Sequence, residues 1–93
     1  NLAYEQILEI DMNNFTANLR VGQIYLNNGD YSNAKKYLET AYQLFPAEFE
    51  PNLSLGWTYY YLGDKLKAKE LFTAALMLSK DNKLAAEGMQ LVK

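Results

Sequence analysis

The chain contains no cysteine and no histidine. Without cysteine there is no disulfide framework, no thiolate metal site and no thiol nucleophile. Without histidine the commonest general base and the commonest metal ligand are also missing. No apolar run approaches the ~20 residues needed to span a bilayer, and no signal peptide is visible. The formal charge of -2 is too small to argue for nucleic acid or an anionic membrane surface. What is present is a chain of 93 residues, 49% hydrophobic and 22% charged, a balance that folds rather than staying disordered. Its length allows one small domain or a piece of a larger array. Localisation stays open, because the lack of cysteine does not fix a redox compartment and the chain starts on Asn1.

Catalytic constellations are equally sparse. The carboxylates are spread singly along the chain, and the one pair on a shared helix face, Glu5 and Glu9, reads as part of a solvated surface. The basic run Lys65, Lys67, Lys69 splits over two helix faces and alternates with Leu66 and Ala68, which is the pattern of an outer, solvated face. The expectation is a non-enzyme with no cofactor and no metal, with neither nucleic acid nor membrane among its partners.

An internal repeat organises the chain. Displacing it by 34 residues aligns 15–48 with 49–82, and eleven of the 34 pairs are identical: Phe15/Phe49, Asn18/Asn52, Leu19/Leu53, Gly22/Gly56, Tyr25/Tyr59, Gly29/Gly63, Asp30/Asp64, Ala34/Ala68, Lys35/Lys69, Ala41/Ala75 and Leu44/Leu78. Val21/Leu55 and Leu38/Phe72 match in kind. Each unit reads as a helical hairpin. Gly29 and Gly63 suit the left-handed residue that closes a helix. Asp30 and Asp64 follow at once and suit the N-cap of the next one. Pro46 ends the first hairpin, and Pro51 stands where another helix begins. The spacing predicts helices at about 2–12, 16–28, 31–44, 50–62, 65–78 and 82–92. Gly22 and Gly56, costly inside a helix, are expected to let two helices approach closely by facing Ala34 and Ala68.

These residues carry a family resemblance. Val21-Gly22-x-x-Tyr25, Ala34-x-x-x-Leu38, Ala41 and Pro46 resemble the tetratricopeptide pattern at its 34-residue period. Leu55-Gly56-x-x-Tyr59, Ala68-x-x-x-Phe72 and Ala75 repeat it. Asn18 and Asn52 stand where the pattern has tryptophan, and Lys80 replaces the second proline. Pentatricopeptide repeats also stack hairpins and read RNA, but with a longer period and basic inner surfaces. The resemblance implies an all-α, right-handed superhelical stack of antiparallel hairpins, an α-solenoid. Residues 1–14 fit the second helix of a truncated preceding repeat, with Tyr4 and Ile7 where Leu38 and Ala41 later stand. Residues 83–93 fit a terminal capping helix. The chain is thus expected to be a fragment excised from a longer protein.

The resemblance also implies that the first helix of each hairpin lines a concave groove in which a protein or peptide segment lies. In the second unit, Leu55, Gly56 and Tyr59 form the core stripe, which leaves Leu53, Trp57 and Tyr60, with Tyr61 beside them, as a second stripe toward the groove. The matching stripe in the first unit is Leu19, Gln23 and Leu26, with Asn27 beside it and Arg20 as a further polar contributor. Trp57 and Tyr60 are the expected anchors, because aromatic side chains give large contact areas with few torsions to freeze. Tyr61 and Gln23 are expected to supply hydrogen bonds. The alternative is a structural spacer or self-association module, in which this aromatic stripe packs within or between copies, or the exposed end helices pair. The lysine–asparagine clamp by which some family members grip a terminal carboxylate is absent: its places hold Leu19, Gln23, Ser54, Leu84 and Gly88.

Overall fold

A computed structural model describes residues 2–93, so the first residue of the predicted 1–14 segment lies outside it. Six helices follow one another: α1 (Leu2–Ile10), α2 (Phe15–Asn27), α3 (Tyr31–Leu44), α4 (Phe49–Tyr61), α5 (Lys65–Leu78) and α6 (Lys83–Val92). No strand occurs among the described residues. The hairpins α2–α3 and α4–α5 are the tightest pairs; α3 packs on α4, and α5 on α6. The first helices also touch in sequence, α2 to α4 and α4 to α6. The result is an all-α stack, 40 × 24 × 18 Å, with first helices along one side.

The Gly-Asp pairs turn each hairpin as the sequence predicts. Gly29 and Gly63 adopt φ of 79° and 90°, the left-handed region. The Gly29 N–H donates to the Leu26 carbonyl and the Asp30 N–H to the Tyr25 carbonyl, at 3.1 and 2.9 Å. Gly63 and Asp64 donate in the same way to Tyr60 and Tyr59. Each aspartate then caps the following helix: the Asp30 carboxylate accepts from the Asn33 N–H, and that of Asp64 from the Lys67 N–H. This is a Schellman closure fused to an N-cap.

The connections between hairpins depend on the two asparagines that replace the pattern's tryptophan. Asn18 and Asn52 are almost fully buried. The Asn52 amide donates to the Pro46 and Glu48 carbonyls, at 2.8 and 2.7 Å. Asn18 does the same to the Met12 and Asn14 carbonyls, at 3.0 and 2.8 Å. Each side chain therefore staples the first turn of a hairpin to the loop leading into it. α1 ends at Ile10, two residues before the expected limit, and the Asp11 N–H closes it on the Ile7 carbonyl.

The helical glycines admit large side chains at close range. A Cβ on Gly22 would meet Leu38 Cγ at 2.5 Å, and one on Gly56 would meet the Phe72 ring at 2.9 Å. The bare backbone of each glycine thus receives a large side chain, and Ala34 and Ala68 are fully buried in the same core. Phe72 is also met from its far side. A Cβ on Gly88 of α6 would lie 2.4 Å from its Cζ. In the 34-residue frame the residue matching Gly88 is Ser54, and the one matching Phe72 is the smaller Leu38. The larger ring goes with the smaller opposing residue.

Two stability outcomes follow from this packing. Gly88→Ala should lower stability by about 1–3 kcal/mol through overpacking, and Phe72→Leu in the same chain should recover part of that loss. A thermal melt showing purely additive effects of the two would remove the proposed fit. Asn52→Ala should cost about 1–2 kcal/mol, because it removes two hydrogen bonds from a buried amide; an unchanged denaturation midpoint would show that the staple is inert.

Candidate functional site

A groove of about 690 Å³ runs along the first helices and is lined by α6 as well. Gln23, Leu26 and Asn27 line it from α2, Leu53, Trp57 and Tyr61 from α4, and Leu84 and Glu87 from α6. Tyr31, Glu50 and Ser54 complete the wall. Helical periodicity explains the α4 contribution, since positions 50, 53, 54, 57 and 61 repeat at intervals of three and four along one face.

The aromatic side is a continuous set of rings. Trp57 lies edge-on to the buried Phe72, with centroids 5.2 Å apart and planes at 71°. It stands 6.0 Å from Tyr61 at 30°. Tyr61, 51% exposed, stacks on Tyr31 of the preceding hairpin at 4.7 Å and 12°. Trp57 is half-buried, so one part of its ring belongs to the core and another to the groove. Tyr60 meets Trp57 edge-on at 5.8 Å, is half-buried against the core and does not line the groove.

The polar end is a network between α2 and α4. Arg20 Nη1 donates to Glu50 Oε1 at 2.9 Å and to Gln23 Oε1 at 2.7 Å. Gln23 Nε2 donates to Ser54 Oγ at 3.1 Å and to Glu50 Oε1 at 3.3 Å. The hydrogen bond from Arg20, reinforced by that from Gln23, holds the Glu50 carboxyl below its ordinary value against the opposing effect of burial. The same bond raises the Arg20 guanidinium. Where α4 meets α3 of the preceding hairpin, burial pushes the Tyr59 phenol well above its ordinary range, and its O–H donates to Glu39 Oε2.

Of the residues expected at the groove, Gln23, Leu26, Asn27, Leu53, Trp57 and Tyr61 are brought together there. Leu19 is corrected: at 2% exposure it lies in the core cluster with Leu38 and Leu55. The same stripe position is covered in α2, which α4 flanks, and half-open as Leu53 in α4. Gln23 lines the groove with both amide hydrogens engaged, by Glu50 and Ser54, and its carbonyl accepting from Arg20. Tyr31, Glu50, Ser54, Leu84 and Glu87 also line the groove and were not expected there. Tyr31 opens a second helix, outside the stripes considered, and only the stacking on Tyr61 brings it in. Among the described residues no His/Cys/Asp/Glu group has the geometry of a metal site, and no helix is long and apolar enough to cross a membrane.

The Arg20–Glu50 pair gives a pH dependence of definite sign. The folded state lowers the Glu50 pKa, so its contribution is complete above the ordinary carboxylate value of 4.5 and is lost as pH falls through the lower folded value. Both side chains are more than a third exposed, which limits the pair to about 0.2–1 kcal/mol. The gap in melting temperature between wild type and Glu50→Gln should therefore be small at pH 7 and close as pH falls below the ordinary carboxylate value of 4.5. A gap that widens on acidification would contradict the assignment.

The tetratricopeptide repeat model matches residues 15–48 and 50–82, well over half of the chain. No curated protein matches it. Repeats of this kind generally mediate protein–protein interaction and typically form non-catalytic scaffolds. With two matched units that coincide with the two complete hairpins, the chain belongs to the tetratricopeptide repeat family.

Proposed function

We propose that this domain binds a peptide or protein segment in the groove along α2, α4 and α6, and that it does so without catalysis. The observation that carries this reading is the aromatic wall of Trp57, Tyr61 and Tyr31, continuous with Leu26, Leu53 and Leu84 in one open groove. Rings of this kind are favoured anchors, because they remove much apolar area from water at little entropic cost. Leu84 adds to the argument, being 53% exposed at the groove mouth although α6 packs on α5 beside it.

A second reading is self-association through the end helices. α1 buries no residue fully and leaves Leu2 and Ile10 open, with Ile10 at 91% exposure, and Met12 in the loop after it is open too. Sedimentation over a range of concentrations separates the two: a monomer throughout removes self-association and leaves the groove reading untouched.

Affinity capture with the domain as bait should recover a partner that depends on the groove. Tyr61→Ala, at an exposed ring, should weaken capture while leaving the helical circular dichroism unchanged. Trp57→Ala should weaken it further, at some cost in stability because Trp57 packs on Phe72. Full capture by the folded double variant would overturn the proposal.

A further inference from the structure

The charges around the groove point to the chemistry of its occupant. Its wall contains two carboxylates, Glu50 and Glu87, and neither lysine nor arginine. Arg20, which reaches the polar end, is committed to Glu50 and Gln23. Glu50 is in turn satisfied by Arg20 and Gln23. Glu87 is different: among the described residues the one ion pair is Arg20–Glu50, and Lys83, one turn earlier on α6, does not pair with Glu87. A carboxylate without an internal counter-ion therefore faces the same groove as the aromatic rings.

Those rings are also without a cation of their own. The cation–ring contacts in the described structure are Lys35 over Tyr59 and Lys36 over Tyr37, each at 5.3 Å, both outside the groove. Aromatic faces carry negative potential and attract a cation, tryptophan most strongly. A planar guanidinium answers both features at once, because it stacks on a ring and forks onto a carboxylate. A lysine ammonium is a compact, strongly hydrated charge and fits a stacking surface less well. An acidic segment would meet Glu87 and Glu50, and the Arg20 guanidinium beside them is already paired.

On the groove reading above, we propose that the occupant is a segment bearing an arginine next to an apolar residue, with the guanidinium on the Trp57–Tyr61 surface and its fork on Glu87. The apolar neighbour then contacts the Leu26, Leu53 and Leu84 part of the wall. Arginine selects the segment and the leucine surface adds affinity.

A random short-peptide display library, panned on the domain and counter-screened on Tyr61→Ala, tests this directly. Retained sequences should be enriched in arginine beside an apolar residue and depleted in aspartate and glutamate. A synthetic peptide from that set should bind roughly tenfold tighter than its citrulline analogue, which keeps the shape and loses the charge. Glu87→Gln should remove most of that difference while leaving citrulline-peptide affinity and the thermal melt unchanged. The emission of Trp57, the sole tryptophan, reads these titrations. Tyr61-dependent peptides without arginine preference, or a preference that survives Glu87→Gln, would overturn the arginine assignment and leave the groove reading standing. A library yielding no Tyr61-dependent peptide would overturn both.

Discussion

The fully buried Phe72 ring fills the space that three helices share. Gly56 of its own hairpin and Gly88 of the next helix leave room for it on two sides, and the edge of Trp57 meets it on a third. A buried phenylalanine removes more apolar area from water than any other fully buried side chain here. Its placement also sets three helices relative to one another, because α4, α5 and α6 can each sit only where the ring allows. Interiors packed at this density do not deform gradually. The part of the groove that α6 lines therefore rests on this core.

That arrangement links stability to the shape of the groove. Trp57 is the shared element, with one edge against Phe72 and another part open beside Tyr61. The stacked Tyr31 and Tyr61 extend the surface across the junction between hairpins, and the Arg20–Gln23–Glu50–Ser54 network joins the same two hairpins at the polar end. A groove spanned by such ties at both ends is preorganised, which lowers the entropic cost of binding. The buried Asn18 and Asn52 staples act on the back of the same first helices, fixing where each one starts.

Most of the fold was legible because its signals are local. Gly29-Asp30 and Gly63-Asp64 mark the turns through backbone conformation and capping, which depend on near neighbours, and the helix limits followed to within two residues. Contacts between helices were harder to read. Sequence gives the stripe to which Gly22 and Gly56 belong, but not the rotation of the facing helix, so Leu38 and Phe72 were not identified as their partners. Gly88 stands out of register with both glycines, since α6 packs back on α5 and has no hairpin of its own here. Leu19 and Leu53 hold one repeat position in different surroundings, and no single-helix pattern separates them. Tyr31 enters the groove only because the next hairpin brings Tyr61 beside it.

The double role of Asp30 and Asp64 has a consequence for how such a chain can vary. One residue completes the closure of one helix and caps the next, so the turn contains no spare residue. An insertion at that point must undo either the bond to the Tyr25 or Tyr59 carbonyl or the cap on the following turn. The asparagine staples impose a similar limit on the other connections. Length can therefore change readily by copying or deleting whole hairpins and only with difficulty by stretching one. That makes the 34-residue period a mechanical unit of inheritance, and single side chains such as Gln23 and Trp57 the places where otherwise similar units become different.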